Sequence, residues 1–200
     1  MSLPVSVVIL AGGKSSRMGR DKSFVRVGGA PIIERIVGQL DGYGAETVLI
    51  TNKPDDYRYL GLPMHGDLLP DKGALGGLYT AVHYAAQPRA LVVACDMPFV
   101  NGPLLDHLVG LAADHDAVVP RLGGEAEPFR AVYSKVCEAA MRAALDAGKM
   151  RVISFFDSVR VRFVEDEEIE RFDPRRVTFF NVNTPEELEQ AEALAAKVAR

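Results

Sequence analysis

The sequence predicts an α/β protein with a doubly wound, mostly parallel sheet between two layers of helices. Strand-like and helix-like segments alternate through residues 6–119, as expected for parallel strands joined by helices. The run Ala90–Ala94 is apolar throughout, which is typical of a central parallel strand buried on both faces. No repeat, low-complexity tract or linker divides the chain, so residues 1–200 are predicted to form one domain.

The first half is predicted to run β-α-β-α-β-α-β. Apolar, β-rich runs predict four strands: Ser6–Leu10, Thr47–Thr51, Ala90–Ala94 and Asp116–Val119. Apolar residues recurring every three or four positions predict three helices: Pro31–Leu40, Leu75–Ala86 and Pro103–Ala113. Pro31 suits a first helical turn, because its missing N–H would have no partner there.

The second half is less regular but completes the sheet. Three further strands are predicted: Pro128–Tyr133, Val159–Val164 and Thr178–Val182. Two further helices are predicted: Lys135–Ala147, ended by Gly148, and a terminal helix from Pro185 to about Ala199. In NTPEEL, Thr184 and Glu187 have the spacing of a capping box.

The composition argues against two classes of binding partner, nucleic acids and membranes. The chain has 200 residues, 48% of them hydrophobic, and a net charge of −4, which argues against nucleic acid or a membrane surface as a general partner. No apolar run approaches the ~18 residues that span a bilayer, and the start lacks the features of a signal peptide.

Cys95 and Cys137 are far apart, which predicts a reducing compartment, and we expect a cytoplasmic protein. The four histidines lack metal-ligand spacing, so no zinc site is expected.

A basic, glycine-rich loop follows the first strand in VILAGGKSSRMGRDK. Gly12 and Gly13 let backbone N–H groups approach an anion, and four cations follow: Lys14, Arg17, Arg20 and Lys22. Ligands of open α/β sheets bind at the carboxyl ends of strands, where this loop lies. The loop therefore predicts a triphosphate site, the alternative being a solvated basic surface.

Two common phosphate motifs do not fit this loop. A P-loop ending at Gly13-Lys14-Ser15 needs glycine where Val8 stands. The dinucleotide fingerprint GxGxxG needs glycine where Lys14 stands.

The string L-A-G-G-x-S-x-R-M-G-x-D-K, from Leu10 to Lys22, resembles the signature of molybdenum cofactor guanylyltransferases, a family of nucleotidyltransferases with a Rossmann-like sheet. The resemblance continues through four further segments: GALGGL at 73–78, CDMPF at 95–99, EPFRAVY at 127–133 and FFNVNTPEEL at 179–188. One departure is Ala74, where the family usually has proline. Gly13, in place of the alanine of cytidylyl relatives, favours GTP within that resemblance.

The resemblance implies a nucleotide-binding half near residues 1–100 and an acceptor-binding half near 101–200. It implies three catalytic residues: Arg17, Lys22 and Asp96. It implies nucleotide contacts from Leu10, Ala11, Gly12, Gly13, Lys22, Asn52, Asp67, Gly76 and Asp96. Asp96, after a central strand, would also hold Mg²⁺, which prefers carboxylate and phosphate oxygens.

Asn181 and Asn183 are the expected contacts for the acceptor. If residues 178–182 form a strand, these two side chains face one side of it. Simpler roles stay open: Asn183 as a turn residue, Asp67 as a loop carboxylate, Asp96 as a helix cap and Gly76 as a helix start. Arg130 and Arg151 are weaker candidates for the acceptor.

The implied reaction is transfer of GMP from GTP to the phosphate of molybdopterin, with Mg²⁺ as cofactor and pyrophosphate as product. The resemblance also implies transient contact with other cofactor-biosynthesis proteins or apo-molybdoenzymes. Two alternatives stay open at this point. One is a nucleotidyltransferase with another acceptor, such as a sugar 1-phosphate, and the other is a GTP-binding regulator without turnover.

Overall fold

The structure is a computed structural model that describes residues 3–12 and 22–198. Ten strands occur in this part of the chain: β1 (Leu3–Leu10), β2 (Arg26–Val27), β3 (Ala30–Pro31), β4 (Gly44–Ile50), β5 (Met64–His65), β6 (Arg89–Ala94), β7 (Ala117–Leu122), β8 (Glu125–Ala126), β9 (Arg130–Ser134) and β10 (Val161–Val164). Eight of them form the main sheet, while β2 and β3 pair separately.

Seven α-helices occur in the same residues: α1 (Ile32–Gln39), α2 (Pro54–Tyr57), α3 (Gly73–Tyr84), α4 (Gly102–Leu111), α5 (Cys137–Asp146), α6 (Asp166–Ile169) and α7 (Pro185–Val198). Short 3-10 helices cover Lys22–Phe24, Arg58–Leu60, Val152–Ser158 and Val177–Phe179. None of the helices described is both long and apolar enough to cross a membrane.

The main sheet has the order β10-β7-β9-β6-β1-β4-β5, and β8 extends from β7. Strand β9 runs antiparallel to both β6 and β7, whereas the other neighbours along this order are parallel. The predicted α/β class with a mostly parallel sheet is therefore confirmed. That all 200 residues form one domain stays a prediction.

Alternation along the central strand β1 divides the core between the two faces of the sheet. Val7 and Ile9 point to the layer that contains α1, α4 and α7, while Val8 points to the layer that contains α3 and α5. Ile36 of α1 and Leu78 of α3 are completely buried on these opposite faces. Helices therefore cover both faces, which gives the three-layer arrangement that the sequence predicts.

Every predicted strand and helix but one is present, with ends moved by at most three residues. The exception is the strand predicted at Thr178–Val182. There a 3-10 turn is followed by irregular backbone, and the N–H of Val182 donates to the carbonyl of Asp96 at 2.9 Å instead of to a strand. Thr178, Phe179 and Val182 are the buried residues of this segment, and two of them are adjacent, which is not the alternation of a strand. The predicted strand is therefore wrong. Asn181 and Asn183 do not lie on one face of a strand.

Asn101, which precedes α4, is hydrogen-bonded both to the start of that helix and to the chain near residues 172–178. Asn101 Oδ1 accepts a hydrogen bond from the N–H of Leu104 at 2.9 Å, and Asn101 Nδ2 donates to the carbonyl of Phe172 at 2.9 Å. The N–H of Asn101 donates to Thr178 Oγ1 at 3.0 Å. One side chain thus caps a helix and holds a distant loop.

Asn101→Ala should lower the free energy of unfolding by about 1–2 kcal/mol, because the helix cap and the bond to Phe172 are both lost. Urea denaturation measures the change. Asn101→Asp is the matched control, since its carboxylate still accepts from Leu104, and it should lose less. Equal stability of Asn101→Ala and the unaltered protein would contradict the assigned cap.

Candidate functional site

Four adjacent strands end at one edge of the sheet and bring the predicted site residues together. The carbonyl of Leu10 accepts from the N–H of Cys95 at 3.1 Å, and the N–H of Ala11 donates to Ile50 at 2.9 Å. These bonds align the end of β1 with the ends of β6 and β4, while Thr51 bonds to β5 at 2.8 Å. Four candidate residues follow these strands: Gly12, Asn52, Asp67 and Asp96.

The first loop begins with backbone that is fixed on both sides. Ala11 is buried, and Leu10 is half-buried. Gly12 is exposed, and a Cβ built on it would meet nothing within 4 Å, so its backbone faces open space. The predicted contacts at Gly13 and Arg17 lie outside the described residues.

Asn52 and Asp67 form a two-bond clip between the loops that follow β4 and β5. Asn52 Nδ2 donates to Asp67 Oδ2 at 2.8 Å, and the N–H of Asp67 donates to Asn52 Oδ1 at 2.9 Å. Gly66 lies close beneath this clip, since a Cβ there would be 3.2 Å from Asn52 Oδ1. The clip holds a carboxylate and an amide side by side at the sheet edge, which suits hydrogen bonding to a nucleobase.

Gly76 has a packing reason to lack a side chain. It is buried in α3, and a Cβ would lie 2.6 Å from the Cβ of Lys72 and 3.3 Å from the carbonyl of Leu69. The helix can therefore pack against residues 69–72 only because position 76 is glycine. The predicted nucleotide contact at Gly76 stays a prediction.

Lys22 is bonded to a residue that the sequence assigns to the acceptor. Its Nζ donates to Asn183 Oδ1 at 2.6 Å, although 161 positions separate the two residues. The N–H of Asn183 donates to Glu187 Oε2 at 2.5 Å. Asn181 is half-buried, and its side chain makes no hydrogen bond within the described residues. The two asparagines therefore have different surroundings.

Asp96 presents a carboxylate that its surroundings do not satisfy. It is half-buried, and its Oδ1 is buried without a hydrogen-bond partner among the described residues. Burial raises the pKa of Asp96 above its ordinary value, although the positive charges of Lys22 and Arg130 oppose that rise. A buried, unpaired oxygen at a strand end is a position where a cation would be stabilised.

A magnesium ion fits this site only if a substrate phosphate supplies some of its ligands. Within residues 3–12 and 22–198, no group of three or more His, Cys, Asp and Glu side chains could hold a metal ion. Mg²⁺ commonly takes one or two carboxylates and completes its shell with water and substrate phosphates. Asp96 Oδ1 provides one such ligand, so the residues present fit a metal that is bound together with a phosphate.

Arg130 lies completely buried in the antiparallel strand β9, next to the turn that carries Asp96. Its Nη2 donates to the carbonyl of Met97 at 2.9 Å, whereas Nε and Nη1 have no partner in the described structure. Burial lowers the pKa of Arg130 to about 10, while Asp96 and Glu127 favour its charged form. Arg130 is therefore a cation at neutral pH.

Sequence reasoning treated Arg130 as a candidate for the acceptor, but the structure buries it beneath the site. The available signal was a charged residue inside the otherwise apolar strand RAVY. Such a residue needs a countercharge, since an unpaired buried charge is costly. Burial also raises the pKa of Glu127, and the nearby charge of Asp96 raises it further. Arg151, the other candidate, is exposed at the start of the 3-10 helix Val152–Ser158.

A protein-family model described as MobA-like NTP transferase domain matches residues 7–162. A protein of Pelotomaculum thermopropionicum named "Probable molybdenum cofactor guanylyltransferase" is 39% identical over 193 residues, covering 96% of this chain and 94% of that protein. The molybdenum cofactor guanylyltransferase of Desulfosudis oleivorans is 34% identical over 198 residues and covers 98% of each chain.

Solved structures are similar over nearly the whole chain. The molybdopterin-guanine dinucleotide biosynthesis protein A of Archaeoglobus fulgidus has 28% identity and a TM-score of 0.82, covering 96% of this chain and 99% of that one. The 2-C-methyl-D-erythritol 4-phosphate cytidylyltransferase of Thermus thermophilus has 19% identity and a TM-score of 0.69, covering 94% and 98%, and shows the same fold.

Arg130→Met should lower the free energy of unfolding by about 2 kcal/mol, because the hydrogen bond to the carbonyl of Met97 and the attraction of two nearby carboxylates are lost. The loss should stay below that of a broken buried ion pair, since Arg130 bonds only to a backbone carbonyl in the described structure, and Asp96 and Glu127 are only half-buried. Urea denaturation at neutral pH provides the measurement.

Arg142→Met is the matched control, because Arg142 pairs with Asp146 on an exposed helix face. Its loss should be at most about 1 kcal/mol. A similar small loss in Arg130→Met would contradict the structural role of the buried charge.

Proposed function

The chain belongs to the molybdenum cofactor guanylyltransferase family and is a nucleotidyltransferase, and we propose that it transfers GMP from GTP to the terminal phosphate of molybdopterin. Pyrophosphate would leave, the reaction would need Mg²⁺, and the protein would act in the cytoplasm. The observation that carries the proposal is the convergence of Lys22 and Asp96 where the ends of β1 and β6 meet. A cation and an unsatisfied carboxylate suit a metal-bound phosphate.

The nucleotide would lie across the edge formed by β1, β4 and β5. Exposed backbone at Gly12 would approach the phosphates, and the clip of Asn52 and Asp67 would face the base. Guanine presents N–H donors and a carbonyl acceptor along one edge. A carboxylate next to an amide offers the complementary acceptor and donor. The clip therefore supports binding of guanine at that position.

The acceptor phosphate would attack the α-phosphorus of GTP, forming a new P–O bond while the bond to pyrophosphate breaks. A phosphate monoester is already anionic at neutral pH, so no side chain needs to remove a proton from it. Lys22 would hold its ammonium group against phosphate oxygens and offset the charge that develops on the leaving group. Mg²⁺, when bound, would supply further charge neutralisation at the phosphates.

The acceptor would approach from the segment that precedes α7. Asn181 is half-buried with its amide unengaged by the described residues, and this supports a contact to the pterin or its phosphate. Asn183 already uses its side-chain oxygen for Lys22, so it would have only its amide nitrogen to offer. Contacts with other proteins of cofactor biosynthesis remain part of the proposal.

The direct test is to incubate the purified protein with Mg²⁺, molybdopterin and each of the four labelled nucleoside triphosphates in turn. Pyrophosphate should be released with GTP and should depend on both molybdopterin and Mg²⁺. Release with a sugar 1-phosphate instead of molybdopterin would overturn the proposed acceptor. Binding of GTP without any release would point to a regulator and overturn the proposed reaction.

Asp96→Asn should reduce Mg²⁺-dependent turnover about 100-fold or more, because an amide cannot replace a charged metal ligand. The fold should persist, since the substitution removes a partly buried charge that lacks a hydrogen bond at one oxygen. Initial rates across a Mg²⁺ titration measure the loss, and urea denaturation checks the fold. Rates like those of the unaltered protein would exclude Asp96 as the metal ligand.

A further inference from the structure

We propose that Asn183 is a positioning residue, which acts on the nucleotide by orienting the ammonium group of Lys22. The proposal rests on the proposed function, because it assigns Lys22 to the phosphates of GTP. It changes the role given to Asn183 from contact with the acceptor to control of the nucleotide site. The residues involved belong to the two ends of the chain, and the structure alone brings them together.

The contact is a short, directed hydrogen bond. Lys22 Nζ and Asn183 Oδ1 are 2.6 Å apart, and both side chains are half-buried. Lysine has only donors, so the atom that faces it must be the amide oxygen, and this fixes the orientation of the Asn183 side chain. An ammonium group has three N–H donors. One is used by Asn183, and the other two have no acceptor among residues 3–12 and 22–198, so they can donate to phosphate oxygens.

Lysine needs such a partner more than most cations do. Its four-carbon chain is flexible, and binding a ligand normally costs the freedom of that chain. A hydrogen bond that holds the ammonium group before the nucleotide arrives reduces this cost. Asn183 therefore contributes to nucleotide affinity without touching the nucleotide.

Asn183 is itself held firmly enough to orient another residue. Its N–H donates to Glu187 Oε2 at 2.5 Å, and the N–H of Thr184 donates to the same oxygen at 3.0 Å. The N–H of Glu187 donates in return to Thr184 Oγ1 at 3.2 Å, which completes the predicted capping box. On the other side, Val182 is completely buried and bonds to the carbonyl of Asp96 at 2.9 Å. The helix cap and the turn carrying Asp96 thus fix Asn183 from both directions.

The neutral amide is suited to this role for an electrostatic reason. A carbonyl oxygen can accept a hydrogen bond from Lys22 without cancelling its positive charge. A carboxylate at the same position would accept the same bond but form an ion pair, and the charge available to the phosphates would fall. The proposal therefore predicts that Asn183→Ala and Asn183→Asp both weaken nucleotide binding, for different reasons.

The test measures binding of GTP with Mg²⁺ by calorimetry in the absence of molybdopterin, so that contact with the acceptor cannot contribute. Lys22→Ala and Asn183→Ala should each weaken binding about tenfold, as expected for one hydrogen bond involving a charged group. The double variant should bind as weakly as Lys22→Ala alone, because Asn183 acts through Lys22. Unchanged affinity in Asn183→Ala, or effects that multiply in the double variant, would overturn the proposal.

Thr184→Ala is the matched control, because it removes the side-chain cap of α7 and leaves the bond between Lys22 and Asn183. It should lower stability but keep the affinity for GTP, because Glu187 Oε2 still accepts from the N–H of Asn183 and Val182 still bonds to the carbonyl of Asp96. A loss of affinity equal to that of Asn183→Ala would assign the effect to the helix start and overturn the proposal.

Asn183→Asp keeps an acceptor for Lys22, so it is the second variant to measure if Asn183→Ala fails to fold. Its affinity for GTP should fall most at low ionic strength, where the added charge is least screened. Affinity equal to that of the unaltered protein would contradict the proposal. Failure of the proposed function is a separate result, because it requires that the unaltered protein bind GTP but not transfer GMP to molybdopterin.

Discussion

The site depends on the register of the central strand β1. This strand is hydrogen-bonded to β4 on one side and to β6 on the other. Leu10 lies opposite Ile50 of β4 and opposite Ala94 of β6, so the three strands end at the same level. A shift of one residue would move Val8 and Ile9 to the wrong layers, and each layer buries its own apolar set. The hydrophobic core therefore fixes where Gly12, Asn52 and Asp96 lie, since these residues follow the ends of the three strands.

Polar groups at this edge are held by bonds between loops more than by bonds within them. Asn52 and Asp67 join two loops, Lys22 and Asn183 join two others, and the carbonyl of Asp96 accepts from Val182. Such cross-links orient side chains in advance, which is what charge stabilisation in a reaction requires. The same edge retains unsatisfied atoms on Asp96 and Arg130, within the part of the chain described. An unsatisfied carboxylate oxygen is expected where a ligand will complete the contacts.

Patterns of apolar residues were enough to predict most of the fold. The run Ala90–Ala94 is a central strand, and the capping box of Thr184 and Glu187 starts the last helix. The pattern was wrong at Thr178–Val182, because Phe179 and Val182 bury in the core layer that contains α1, α4 and α7 without forming a strand, and their N–H groups bond to Arg176 and Asp96, which lie outside any strand. Short elements such as α2 and β5 were not predicted, since two to four residues carry too little periodicity.

The sequence by itself determined the alternation of strands and helices, the first loop and its family signature, and the acidic residue after β6, because these signals lie within short stretches of chain. Only the tertiary structure decided that Lys22 bonds to Asn183 and that Arg130 lies buried near Asp96. Partners 161 positions apart leave no local pattern, since their meeting depends on how β1 and the start of α7 reach the same edge of the sheet. A charge inside a strand signals that a partner is needed, but the packing of neighbouring strands decides which partner it finds.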